Sequence, residues 1–97
     1  MDLSSVKLRP ALVLLETNND IVVAFISSRI PEKSCEVDVL IFQNHPEFIQ
    51  TGLKRDSCIR IDKIATIEKD LIIGIIGTAG DILRSQVSKS ICNVYRL

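Results

Sequence analysis

Apolar residues along the chain fall into short runs separated by polar turns. Ala11–Leu15 (ALVLL) and Ile21–Ile26 (IVVAFI) flank Glu16-Thr17-Asn18-Asn19-Asp20, two β-rich runs around an Asn/Asp turn cluster, which predicts a β-hairpin. Both runs are apolar at nearly every position, so burial on both faces is expected, as in a small closed barrel backed by another layer. A third run, Val37–Phe42, follows the polar loop Ser28–Glu36. His45-Pro46-Glu47-Phe48 reads as a turn or single helical turn, and Gly52 marks another turn. Ser57–Asp62 alternates, with Ile59 and Ile61 on one face and Cys58 and Arg60 on the other, the pattern of a half-buried strand. Ala65–Glu68 and Leu71–Ile76 continue the β signal. From Asp81 the period changes: Ile82, Leu83, Val87, Ile91 and Val94 recur at helical spacing, with Asp81 expected to cap the first turn. The order, several short strands and then one helix covering a sheet, predicts a mainly β or α+β fold with a small barrel.

Length and charge narrow the picture. At 97 residues the chain supports one small core, so residues 1–97 are expected to form a single domain. Twelve Lys and Arg balance 12 Asp and Glu, so no global positive field draws nucleic acid to the molecule, and any such binding must be local. Cys35, Cys58 and Cys92 are odd in number and widely spaced, which fits neither a disulfide framework nor a zinc site and points to a reducing cytoplasm. Neither a secretory leader nor a membrane-spanning run is expected.

The chemistry is narrowed mostly by exclusion. The sequence contains no Walker loop, dinucleotide glycine pattern, G-x-S-x-G or H-E-x-x-H, and its carboxylates do not cluster with His or Cys, so neither a metal nor a cofactor is expected. His45 is the one histidine, so a two-histidine ribonuclease mechanism is impossible within one chain, and before Pro46 it reads as a loop residue. What remains is Arg9 before Pro10 at the entrance of the first run and Ser27-Ser28 at the exit of the second. If the runs pair as a hairpin, Arg9 and Ser27 meet at one end of the sheet. A guanidinium beside hydroxyls suits a phosphodiester, since it contacts phosphate oxygens bidentately while a hydroxyl holds the group in line. An exposed arginine flanking a strand that simply ends in serines is the plainer alternative, and the residues alone leave both open.

Five segments, in order, resemble the MazF/PemK family of toxins. Lys7–Leu14 (KLRPALVL) is similar to the family's R-P-A-x-V-L, and Asp20–Ser28 (DIVVAFISS) to its strand ending in a Ser/Thr pair. Thr51-Gly52-Leu53-Lys54 followed by Asp56-Ser57 resembles its glycine-leucine turn, Asp62–Lys69 (DKIATIEK) its D-x-I-x-T-I-D/E-K segment, and Ile76-Gly77 the pair before its terminal helix. The resemblance implies an SH3-like, CcdB/PemK-type barrel with a C-terminal helix. It also implies a homodimer neutralised by a MazE/PemI-like antitoxin, and sequence-selective cleavage of single-stranded RNA without metal. In that chemistry the substrate's 2′-hydroxyl attacks the adjacent phosphorus and leaves a cyclic phosphate and a 5′-hydroxyl. Carried over by motif, Arg9 would stabilise the phosphorane charge and could protonate the leaving oxygen, Ser27 would position the phosphate, and Lys7, Ser28 and Lys54 would contact the RNA backbone.

Family members usually open with a strand of the type G-D-I-V-L-V-x-F-P-F before a D-L-S-S-like loop, and Met1 stands where that strand ends, so the first strand is expected to be missing. That absence makes an impaired homologue that binds antitoxin without cutting RNA an alternative to the nuclease reading, and the barrel shared with the CcdB branch makes a gyrase-directed toxin a further one.

Overall fold

The computed structural model describes residues 9–96; the expectations for a missing first strand and for Lys7 lie outside them. Among the described residues, four strands form one antiparallel sheet: β1 (Ala11–Glu16), β2 (Asp20–Ser27), β3 (Asp38–Ile41) and β4 (Ser57–Glu68). Their spatial order is β1-β2-β4-β3, and the sheet curls into a half-barrel. A single helical turn, α1 (Phe48–Thr51), links β3 to β4, and the long helix α2 (Asp81–Tyr95) follows a 3₁₀ turn at Lys69–Leu71.

The β1–β2 hairpin forms around the Asn/Asp cluster, closed by the Thr17 N–H donating to the Asp20 carbonyl at 2.9 Å, while the Thr17 hydroxyl accepts from the Asp20 N–H at 3.2 Å. Burial on both faces holds for the central strand β2, where Ile21, Val23 and Ala24 are almost wholly enclosed. It fails for β1, whose Val13 and Leu15 remain 50% and 56% exposed. The cause is position: among the described strands β1 lies at the edge of the sheet, and none of them closes over it.

Ser57–Asp62 and Ala65–Glu68 are one continuous strand, β4, which serves two partners. Its second half pairs with β2 through Ile64–Glu68, and its first half pairs with β3 through Ser57–Arg60. Between the pairs Ala24/Ile64 and Ile26/Ile59 the β2–β4 register shifts, and this irregularity bends the strand and curls the sheet. Leu71–Ile76 is not a strand. After the 3₁₀ turn, residues 72–80 run without regular structure, because no described strand lies alongside to complete a ladder.

The core sits between the concave face of the sheet and α2. Ala24, Val39, Ile41, Ile59 and Ile61 meet Leu83 and Val87 of α2 and Phe48 of α1, with Ile91 and Val94 packed at the margin. Each fully buried aliphatic side chain contributes roughly 1.5–3 kcal/mol. Ile82, expected on the same stripe, is instead 48% exposed, since Leu83, Val87 and Ile91 at spacing four define the buried face.

The start of α2 corrects a second expectation. Asp81 makes no capping bond; the Glu47 carboxylate, just before α1, accepts from the Ile82 N–H at 2.9 Å and the Leu83 N–H at 2.7 Å. A distant carboxylate thus satisfies two orphan donors and faces the positive end of the helix dipole. His45 is part of the same joint: its Nδ1 accepts from the Glu47 N–H at 3.0 Å, and its Nε2 lies 3.0 Å from Gln86 Oε1 on α2. That pattern assigns the proton to Nε2 and gives both nitrogens structural partners. Glu47→Ala is expected to cost about 1–2 kcal/mol of stability, read as a lower Tm, whereas Asp81→Ala should cost clearly less.

Candidate functional site

Pro10 biases Arg9 toward the extended backbone that continues the line of β1. The Ile26 N–H donates to the Pro10 carbonyl at 3.2 Å, and Ala11 pairs with Phe25. Extending that register by two residues sets Arg9 across from Ser27. Both line a cleft of about 530 Å³ at this end of the sheet.

Ser28 and Lys54 line the same cleft, so the structure brings together four of the five residues picked from the sequence. It adds two the sequence reading missed, Arg29 and Arg55. Four cationic side chains, Arg9, Arg29, Lys54 and Arg55, therefore border one cleft, and none of the described lining residues is acidic. In a chain of zero formal net charge, this is the local positive field that anion binding requires. The only sequence signal for Arg29 and Arg55 is their place next to Ser27-Ser28 and Lys54.

The wall carrying Lys54 and Arg55 is built by a chain of local bonds. Gly52 ends α1 with φ 75°, a left-handed conformation that favours glycine. The Thr51 hydroxyl donates to the Phe48 carbonyl at 2.6 Å and accepts from the Leu53 N–H at 3.2 Å. Beyond Arg55, the Asp56 carboxylate accepts from the Gln43 N–H at 2.7 Å, and the buried Ser57 hydroxyl donates to the Arg55 carbonyl at 2.8 Å. On the opposite wall, the Ser27 hydroxyl accepts from the Arg29 N–H at 3.1 Å, which sets the turn and leaves its own hydrogen free to donate.

Behind Ser27 the convex face holds a second polar group. Cys58, the cross-strand partner of Ser27, is fully buried, and its thiol points at Asp38 Oδ1 at 3.4 Å. Asp38 Oδ2 accepts from the Cys35 N–H at 3.0 Å, with the Cys35 thiol at 3.4 Å, and Arg60 Nε lies 3.4 Å from Oδ1. The Cys35 N–H bond, helped by both thiols and Arg60, holds the Asp38 carboxyl below its ordinary value. Burial, reinforced by Asp38, pushes the Cys58 thiol up to about 12. Cys58 is therefore a protonated donor and not a nucleophile. Cys35, Cys58 and Cys92 are all free thiols.

Because folding lowers the Asp38 pKa, the carboxylate contributes stability that is complete above the unfolded value of ~3.9 and disappears as pH falls through the folded value. Melting curves from neutral pH into the acid range should show the wild type losing its advantage over Asp38→Asn. An unchanged gap between the two across that range would remove Asp38 from the account.

Among the described residues, no three His, Cys, Asp or Glu side chains gather as a metal site, and no helix is long and apolar enough to cross a membrane. Chemically, the cleft offers cations and hydroxyls, the partners of a phosphodiester backbone.

Comparison with known proteins follows the same line. No curated protein matches the sequence. Among solved structures, the Mycobacterium tuberculosis toxin MazF-mt6 superposes with a TM-score of 0.75 at 20% identity, covering 92% of this chain and 87% of that one. A structure described as an Mtb toxin superposes with a TM-score of 0.72 at 20% identity, covering 88% and 90%. At that identity the likeness establishes a shared fold. The family model of the PemK-like, MazF-like toxin of type II toxin–antitoxin systems matches residues 4–95, nearly the whole chain, and the protein therefore belongs to that family.

Proposed function

We propose that the protein is a toxin-type endoribonuclease that cuts single-stranded RNA in the cleft between Arg9 and Lys54, by attack of the substrate's own 2′-hydroxyl. The observation that carries this reading is the convergence of Arg9, Arg29, Lys54 and Arg55 on Ser27 and Ser28, with no described carboxylate in the lining. Family membership supports it, since toxins of this family are generally endoribonucleases.

Arg9 takes the central role. A guanidinium presents two parallel N–H donors to the non-bridging oxygens and neutralises the extra charge of the pentacoordinate phosphorus as the 2′-oxygen, its proton passing to water, bonds to phosphorus, the P–O5′ bond breaks and the leaving 5′-oxygen takes a proton from water. The Ser27 hydroxyl, its lone pair engaged by the Arg29 N–H, donates its hydrogen to the phosphate and holds the bond to be broken in line. Ser28, Lys54, Arg29 and Arg55 bind the flanking phosphates, a sequence-independent contribution. No metal is required, because the nucleophile belongs to the substrate and the charge is met by arginine. The active form in this reading is a cytoplasmic homodimer held in check by a MazE/PemI-like antitoxin.

Incubating the purified protein with mixed single-stranded RNA in the presence of a chelator tests the reading. Fragments with cyclic phosphate and 5′-hydroxyl ends are expected. Intact RNA together with tight capture of an antitoxin peptide would favour an impaired homologue instead, and inhibition of DNA supercoiling would favour the gyrase-directed branch.

A further inference from the structure

Beneath its cationic rim the cleft has an apolar floor. Pro10, Ile26 and Leu53, each half-buried, complete the lining between the two charged walls. The fold sets this surface in advance. The Ile26 N–H donates to the Pro10 carbonyl at 3.2 Å, and the Leu53 N–H donates to the Thr51 hydroxyl at 3.2 Å. Ile26 and Leu53 also pack against the buried core, and Pro10 carries a ring in place of a freely rotating side chain. Little order is therefore lost when a ligand settles on the three. A smaller apolar cavity adjoins the floor and shares Ile26 and Leu53 with it. Its volume of about 50 Å³ is well below the ~150 Å³ that takes up a benzene ring, so a ring-shaped ligand rests on the floor and does not pass into the core.

Charge decides the class of ligand. Among the described residues, ion pairs occupy Arg60 and Lys69 and no cation of the cleft, so the rim charges are uncommitted. An apolar floor under uncommitted cations suits a flat apolar face with anionic groups to either side, which is a nucleobase between two phosphates. None of the described lining side chains is aromatic, so the base is held by contact area and not by ring stacking. Area favours the larger, two-ring bases. We propose that Pro10, Ile26 and Leu53 form a base subsite on which a purine lies flat, beside the phosphate held by Arg9 and Ser27. The subsite rests on the RNA reading given above and adds to it which part of the nucleotide the floor recognises.

Equilibrium binding of short abasic strands, 2′-O-methylated so that cleavage by the 2′-hydroxyl is blocked, tests the subsite. One strand carries a single central adenine, one a single central uracil, and one no base. For the wild type, adenine is expected to add about tenfold in affinity over the base-free strand and uracil about threefold, in keeping with the apolar area each covers. Both increments should persist at high salt, where the phosphate contribution fades. Leu53→Asn and Ile26→Thr should each abolish the increments and leave binding of the base-free strand unchanged, an outcome that a general loss of structure does not give. Lys54→Ala should weaken all three strands equally. Equal wild-type affinity for the three strands would overturn the subsite and leave the phosphate-binding cleft standing. Increments that survive both floor substitutions would place the base elsewhere and overturn it too, and uracil binding as tightly as adenine would overturn the purine assignment. A wild type that binds none of the strands would overturn the subsite and the RNA reading together.

Discussion

Replacing Arg9 with alanine is expected to slow RNA cleavage by about 10²–10³-fold, the usual loss when one preorganised donor to a developing oxyanion is removed. Arg9 is exposed and carries no core contact, so Tm should be unchanged. The loss should fall on the single-turnover rate more than on RNA affinity, because Arg29, Lys54 and Arg55 still hold the backbone in the same cleft. Arg9→Lys should recover only part of the rate, since an ammonium supplies charge but not the planar pair of donors. Conversely, Lys54→Ala should weaken binding across all sequences and flatten its salt dependence, with little change in the bound rate. Equal rates for the wild type and Arg9→Ala would remove Arg9 from the chemistry.

The second large effect is structural. Gly77 lies against the end of α1, and a Cβ there would collide with the carbonyls of Gln50 and Thr51. Gly52 faces the same junction from the other side, where an added Cβ would strike the Ile76 carbonyl. The two glycines let two backbone segments touch, and the Thr78 N–H bond to Gln50 O seals the contact. Gly77→Ala must separate them, at a cost of about 3 kcal/mol. For a domain of this size that corresponds to a fall in Tm of roughly 15 °C. Gly74→Ala, in the same segment but in open space, serves as the control and should melt close to the wild type. The Gly77 change should also weaken RNA binding in the fraction that stays folded, because α1 leads directly into the wall bearing Lys54 and Arg55.

What the sequence made legible was chiefly what depends on neighbours along the chain. The Asn/Asp cluster and the alternating runs define the β1–β2 hairpin, and the hairpin alone carries Arg9 to Ser27. The terminal helix was readable from Leu83, Val87 and Ile91. Other features depend on where distant segments arrive. Glu47 caps α2 from 35 residues away, measured from Ile82, so the local cap signal at Asp81 misled. Leu71–Ile76 has strand composition, but strand structure requires a partner strand, and none of the described strands supplies one. Arg29 and Arg55 look like ordinary loop charges until the fold sets the β2 exit beside the α1–β4 turn. The exposed outer side of β1 was hidden because an edge strand and a central strand can carry the same apolar run.

If the Arg9–Ser27 cleft cuts RNA with the substrate's own 2′-hydroxyl, removing that one hydroxyl must block the reaction. A single-stranded RNA containing the site cut by the wild-type protein is compared with the same strand carrying one 2′-deoxynucleotide immediately 5′ of the scissile phosphate. The modified strand is expected to bind with similar affinity and to stay uncut at that phosphate. Cleavage of the deoxy-substituted site at the normal rate would show instead that the nucleophile comes from elsewhere.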